Sequence, residues 1–407
     1  MNFLLILSTL RRHRTAAALI VLQIALTCAI VANALFLIGE RLERMNRSSG
    51  IVEPEIVRVQ LNGIGEDANP EVLTREDLAL LGAIPGVKAA ATSSQLPFGN
   101  SSWNSGVTLA PGQTHSTLNV STYFGEGLIA AFGLRLIAGR DFNREEYADW
   151  KAVRAEGSKV KPPAAILTRE TAERLFPGKS GIGEVFYFGG DDPIRIVGIV
   201  DRLSRPGRQG RGGESGYAML LPVRLPYTVA GQYVLRALPD RRAEVLTAAV
   251  KVLEKNNPNR IIISQDTFHD IRRRYFRGDR AVAWMLVGVS VALLLVTALG
   301  IVGLASFWVQ QRTRQIGIRR ALGATRGQIL RYFQTENFVL ATLGILLGIA
   351  LAYGINYWLM ERFETTRLPI AFAPVGALAL WSLGQLAVLG PALRAAQVPP
   401  AVATRSV

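Results

Sequence analysis

Gly178-Lys179-Ser180 has the ending of a phosphate-binding loop, in which a lysine meets the outer phosphates and a hydroxyl meets magnesium. That chemistry also needs a glycine five residues before the GKS glycine, so that backbone N–H groups can cradle the phosphates. Position 173 is Glu173, and the segment reads as a turn. No other stretch carries the pattern, so the chain is not expected to hydrolyse ATP itself. The three histidines, His13, His115 and His269, fall in no HExxH pattern, and there is no GxSxG elbow. Asp191-Asp192 and Asp201 offer the oxygen ligands a hard cation takes, but they read as turn and strand-end residues. The one cysteine, Cys28, lies in an apolar run, which excludes a disulfide within the chain and keeps the thiol protonated and unreactive. Neither a catalytic site nor a metal site is expected.

The elements behind these residues are set by an uneven composition. The chain has 407 residues, enough for two or three domains, of which 49% are hydrophobic and 19% charged. Four apolar runs, Thr15–Ile38, Ala281–Val309, Phe338–Leu359 and Ile370–Leu393, contain no Asp, Glu, Lys or Arg. Roughly 20 helical residues cross a bilayer, and a central charge there costs about 2.5–3.5 kcal/mol. The first run has a signal peptide as its rival reading, with Ala32-Asn33-Ala34 as the cleavage site. It is longer than the apolar core of a signal peptide and stays apolar through Leu35–Ile38, so it reads as an uncleaved anchor.

The net charge of +15 sits beside these runs. Arg11, Arg12 and Arg14 precede the first, Arg312, Arg314, Arg319, Arg320, Arg326 and Arg331 lie between the second and third, and Arg394 and Arg405 follow the fourth. The positive-inside rule makes all three segments cytoplasmic. No zinc-finger or aromatic RNA-binding pattern supports a nucleic-acid partner. The expected fold is a membrane protein of four transmembrane helices with an α+β extracytoplasmic domain inserted between helices one and two. Its segments are a cytoplasmic amphipathic N-terminus (1–14), spans at 15–40, 281–310, 336–360 and 370–393, the outer domain (41–280), a cytoplasmic loop (311–335), a short outer loop (361–369) and a cytoplasmic tail (394–407). Met1–Leu10 either lies as a helix in the inner lipid interface or begins helix one early. Gln23, Asn33 and Asn356 are the main polar groups in the spans, and Gly344-x-x-x-Gly348 allows a close helix contact, within the chain or in a dimer.

In the outer domain, Glu55–Leu61 alternates as a half-buried strand, Thr74-Arg75-Glu76-Asp77 caps a helix through Leu80, and Val87 starts a second strand. This β-α-β order fits a small ferredoxin-like subdomain. Further strands are expected at Ala164–Leu167, Ile194–Val200, Tyr217–Val223, Tyr233–Leu238 and Ile261–Ser264, with helices at Thr168–Phe176 and Arg241–Glu254. Asp266–Arg280 reads as a helix running into the second span, and Arg205–Gly213 as a mobile loop.

The most informative segment is Gln311–Leu330. It is a basic elbow in which Ile316, Arg319 and Arg320 can share a helical face and Gly323 allows the turn. Arg314-Gln315-Ile316-Gly317-Ile318-Arg319-Arg320-Ala321-Leu322-Gly323-Ala324 resembles the cytoplasmic loop of the FtsX/MacB permease family, with Gln315 where a glutamate is usual. Pro391-Ala392-Leu393-Arg394-Ala395-Ala396, followed by Pro400-Ala401, resembles that family's C-terminal string, with Pro399 at a position that is commonly acidic or small and polar. Gly139-Arg140-Asp141-Phe142, Ala172–Gly178 and Ile196–Asp201 resemble pieces of its outer domain. The resemblance implies a non-catalytic permease subunit of the bacterial inner membrane, with both termini inside and the large domain periplasmic. ATP and magnesium would belong to a separate ABC ATPase docked on residues 314–324, and the chain itself would carry no cofactor. A second permease, membrane lipid, a periplasmic adaptor and an outer-membrane channel are the other implied partners. The implied task is mechanotransmission driving export of a peptide, antibiotic or toxin; the alternatives are lipoprotein release and control of a cell-wall hydrolase.

Overall fold

The computed structural model describes residues 14–65, 67–155, 160–188, 190–207, 216–363, 367–370 and 372–399. The interfacial helix expected over Met1–Leu10, Arg11, Arg12, Arg405, Pro400 and most of the glycine-rich loop lie outside them. The chain divides into an α/β unit, Arg47–Arg277, and a helical unit formed by the residues on either side.

Among the described residues the strands of the α/β unit run in chain order as β1 (Ile56–Gly63), β2 (Val87–Thr92), β3 (Asn104–Thr108), β4 (Leu118–Phe124), β5 (Leu136–Gly139), β6 (Ala148–Asp149), β7 (Ala164–Thr168), β8 (Val185–Phe188), β9 (Pro193–Val200), β10 (Ala218–Leu221), β11 (Val223–Arg224), β12 (Gln232–Ala237) and β13 (Arg260–Thr267). One sheet has the order β13-β1-β12-β2, with every neighbouring pair antiparallel. The helix Pro70–Gly82 joins β1 to β2, and the helix Arg242–Asn256 joins β12 to β13. This is β-α-β-β-α-β in the 4-1-3-2 order, the ferredoxin-like arrangement expected from the first β-α-β. Everything from β3 to β11 is inserted between its second and third strands. The insert builds a seven-stranded sheet, β5-β9-β7-β10-β4-β3-β8, which is parallel at β7–β9 and β10–β4.

Local details depart from the sequence expectations for physical reasons. Alternation along β1 places Arg58 on a solvent face, yet it is buried. It lies directly opposite Asp266 on β13, and Nη2 donates to Oδ2 at 2.5 Å. Thr74 does not cap its helix, which starts earlier with Pro70 in the first turn, where the missing N–H costs nothing. Thr74 Oγ1 instead donates to Pro70 O at 2.6 Å and accepts from Tyr227 N at 2.8 Å. Asp77 is fully buried and collects Arg260, the Tyr233 hydroxyl and Asn256 Nδ2. Asp266 belongs to a strand, not a helix: β13 runs to Thr267, whose Oγ1 accepts from Asp270 N and caps the helix Phe268–Tyr275. Phe276 then separates that helix from the next, so the single helix expected over Asp266–Arg280 is two pieces.

Among the described residues the helical unit holds four helices long and apolar enough to cross a membrane: Arg14–Asn46, Arg277–Gln311, Arg326–Phe363 and Phe372–Ala396. The first packs against the third at the two glycines. A Cβ at Gly344 would stand 2.8 Å from Ile24 Cβ, and one at Gly348 would stand 2.5 Å from Cys28 Cβ. The polar side chains join helices. Gln23 Nε2 donates to Val296 O (3.1 Å), Thr27 and Thr297 share a hydroxyl bond (2.8 Å), and Asn33 Nδ2 reaches Ala352 O (3.3 Å). Asn356 Oδ1 accepts from Leu368 N at 2.9 Å. At one end Arg41 pairs with Asp279 at 2.6 Å.

Two carboxylates of the α/β unit tie its stability to pH. Burial pushes the Asp266 carboxyl up, but hydrogen bonds from Arg58, Arg274 and Ser264 outweigh it and hold the group below the usual aspartate range. Lys88 and Arg236, each 2.5 Å away, hold Glu55 below its ordinary value. Depressed folded values mean that this stabilisation is complete above the unfolded pKa of about 4 and is lost as pH falls through the folded values. Denaturant titrations of the detergent-solubilised chain at pH 7 and pH 3 should therefore show an acid-sensitive α/β unit, with a smaller pH dependence in Asp266→Asn. Equal pH dependence in the variant would show that the Asp266 pairs contribute nothing. Asp77→Ala strands the Arg260 guanidinium, whose side chain is 1% exposed. It should cost about 3–5 kcal/mol, read as faster hydrogen exchange in β1 and β12.

Candidate functional site

The chain leaves the second apolar helix at Gln311 and turns at Arg312 into a short helix, Thr313–Ala321. Leu322–Thr325 then reverses it into the third apolar helix. Gly323 sits at φ +94°, the left-handed region glycine enters at least cost, and its N–H bonds Arg320 O. Thr325 and Gln328 then form a reciprocal cap: Gln328 N donates to Thr325 Oγ1 (3.3 Å) and Thr325 N to Gln328 Oε1 (3.0 Å). This is the capping-box pattern Thr-x-x-Gln, which starts a helix by satisfying two orphan donors.

The elbow is pinned at its base. Arg312 Nη1 reaches both carboxylate oxygens of Glu336, at 3.1 and 3.0 Å, and both side chains are buried. The Arg312 guanidinium also lies 5.6 Å from the Trp308 ring centre. Ile316 packs into the core of the helical unit with Trp308, Ile329, Phe333, Ala392 and Ala395. Arg320 Nη1 donates to Ala396 O at 2.5 Å, capping the end of the fourth helix, where a cation also meets the negative end of the helix dipole. Arg319 stands over the Tyr332 ring, 5.2 Å from its centre.

The helical period therefore splits the expected site in two. Ile316 and Gly317 are buried and anchor the elbow. Arg314, Gln315, Ile318, Arg319, Leu322 and Gly323 are exposed, Ile318 at 47% and Leu322 at 83%. A cavity of about 310 Å³ opens on this side, lined by Gln315, Arg319, Gln328, Arg312, Ala324 and Tyr332 together with the buried Ile316, Ile329 and Phe333. Pro391 is buried inside the fourth helix, whereas Arg394 is exposed and joins no elbow contact among the described residues. Gly344 and Gly348 serve the first helix and not the elbow. Sequence reasoning missed Glu336. The signal was present, since it is the one acidic residue between Asp279 and Glu361. Among the described residues no group of His, Cys, Asp and Glu could hold a metal.

Comparison with known proteins covers both units. Residues 17–262 match the model of the MacB-like periplasmic core domain, and residues 287–400 match that of the FtsX-like permease C-terminal domain. The macrolide export ATP-binding/permease protein MacB of Chromobacterium violaceum is 27% identical over 284 residues, covering 66% of this chain and 40% of that protein. The uncharacterized ABC transporter permease YknZ of Bacillus subtilis is 25% identical over 247 residues, covering 60% of this chain and 57% of that one. The periplasmic region of MacB from Actinobacillus actinomycetemcomitans aligns in structure over 57% of this chain and 97% of its own length, with 11% identity and a TM-score of 0.33. The chain thus spans well under two thirds of the curated relatives it matches.

Arg312→Ala breaks the buried ion pair to Glu336, which should destabilise the elbow by about 3–5 kcal/mol. Hydrogen exchange over residues 313–321 should speed up accordingly. Leu322→Ser touches no buried group and should stay within about 0.5 kcal/mol of wild type. Equal exchange in the two variants would remove the ion pair as the anchor.

Proposed function

The chain belongs to the permease family that combines a MacB-like periplasmic core domain with an FtsX-like C-terminal domain, and on that premise we propose that it is the membrane subunit of a MacB-type ABC transporter. In this reading the four apolar helices span the inner membrane, the α/β unit is periplasmic, and the elbow faces the cytoplasm. The carrying observation is the elbow itself. A short helix is anchored by Ile316, Arg312 and Arg320 and leaves Ile318 and Leu322 uncovered among arginines. Apolar side chains exposed at that density suit a protein partner, and an ABC ATPase on a separate chain is the partner proposed.

Closure of the ATPase on ATP would push or pull the elbow. Arg312–Glu336 would pass the load to the second and third helices together, since Arg312 follows the last residue of the second and Glu336 lies within the third. The first helix would follow through its seat on Gly344 and Gly348 and its bonds to Val296 and Thr297. The polar groups Gln23, Asn33 and Asn356 are bonded to other helices or to the Leu368 backbone. That supports mechanotransmission over a hydrophilic conduit, which would need polar groups facing water. The cargo proposed is a peptide, antibiotic or toxin, taken up on the periplasmic side with an adaptor, an outer-membrane channel and a second permease.

The test is co-expression with the ABC ATPase encoded beside this chain and purification through a tag on the permease. Wild type should bring down the ATPase with ATP hydrolysis, and the double variant Ile318→Asp/Leu322→Asp should lose it while keeping its own thermal unfolding. Ile316→Asp is the poorer probe, because it places a charge in the core. An ATPase that binds both forms alike would show that this face is not the docking surface.

A further inference from the structure

The cavity beside the elbow has a chemistry of its own. Its lining includes no acidic residue. The charge of Arg312 is already matched by Glu336, but Arg319 meets the Tyr332 ring and, among the described residues, no carboxylate. The other polar groups present donors. The Gln328 carbonyl oxygen is taken by Thr325 N, which leaves its amide N–H groups. The Gln315 side chain makes no hydrogen bond among the described residues and has its amide donors available. Ile316, Ile329 and Phe333 form an apolar floor beneath them, which lowers the local dielectric and strengthens any charge interaction above it.

We propose that this cavity is a socket for an acidic side chain of the partner ATPase, and that Gln315 sets its selectivity. A carboxylate is an acceptor-only group, so it complements one guanidinium and two amides that can each donate. The partner is taken to be protein because the same elbow exposes the apolar pair Ile318 and Leu322, four positions apart, beside Gln315 and Arg319. Gln315 and Arg319 are also one turn apart on the same helix. A glutamate at 315 would stand N-terminal to the arginine in the favourable orientation for an internal ion pair. It would consume the charge that the partner needs, whereas glutamine leaves it free. The inference rests on the elbow being the ATPase docking segment.

The experiment titrates the purified ABC ATPase encoded beside this chain against the full-length permease in phosphatidylcholine nanodiscs. Gln315→Glu and Arg319→Ala should each raise Kd about tenfold, with Gln315→Ala, which removes donors and adds no charge, rising only a few-fold. Raised salt should weaken wild type towards the variants, and the thermal unfolding of all four should coincide. Equal Kd across the four proteins overturns the socket and leaves the docking face of Ile318 and Leu322 standing. Binding that appears only when anionic lipid is added, with variants that lose this dependence, assigns the cavity to a headgroup and also overturns it. No ATPase binding to wild type in either lipid overturns both the socket and the docking reading.

Discussion

Arg312 stands where the second apolar helix ends, and Glu336 stands in the third where its apolar stretch begins. Each charge alone would be expensive in that setting, because a buried ion without a partner loses its hydration and gains nothing. Bonded through two oxygens at 3.0–3.1 Å, they become the fixed point from which the elbow is built. With the chain held at both sides of the turn, Ile316 reaches the core, Arg320 reaches the fourth helix and Gly323 closes the reversal. The pair's value lies in position more than in stability, since buried ion pairs seldom out-stabilise a well-packed apolar pair but do specify one arrangement.

The same requirement governs the rest of the molecule at lower cost. In the apolar helices Gln23, Thr27 and Asn33 hold neighbouring helices, as side chains without water must. Close approach of the first and third helices follows from two missing side chains at Gly344 and Gly348, so their small-residue pattern is used within the chain. In the α/β unit Asp77 and Asp266 play the corresponding part. Asp77 ties its helix to β12 through Tyr233, to β13 through Arg260 and to the helix Arg242–Asn256 through Asn256. Asp266 ties β13 to β1 through Arg58 and to the following helix through Arg274. The ferredoxin-like sheet is thereby fixed at its edge strand and at its centre.

Period and composition made the helices and most strands legible. Four uncharged runs announce four apolar helices, and β7, β9 and β12 lie within a residue or two of where their apolar stretches place them. The topology of the insert was not legible, because strands of a mixed sheet pair across long separations that no local pattern records. Polar residues misled where a buried partner was distant in sequence: Arg58 looked solvent-facing because Asp266 is 208 positions away. The fate of Thr74 was hidden for a similar reason, since the backbone N–H it serves belongs to Tyr227. Asp266 was drawn into a helix by the charged run after it, although the cap that starts that helix is Thr267.

In the elbow, sequence identified the right segment but not which side chains face out. A motif written as a string treats Ile316 and Ile318 alike. A helix places positions two apart about 200° around its axis, so burying one exposes the other. The buried member is chosen by what lies beneath it, and here that is the wall of Trp308, Ile329 and Phe333. Once Ile316 takes that wall, Gly317 beside it is also covered, while Arg314, Gln315, Ile318 and Leu322 remain on the outside. The outer side of the elbow thus presents two apolar side chains, an arginine standing on a tyrosine ring and an amide one turn away, separate from the buried Ile316 and the Arg312–Glu336 pair. The residues that anchor the elbow and those on its outer face are thus different positions of one short helix and its two flanking residues, and under the proposed docking, substitutions on the outer face would alter what binds without removing the anchors.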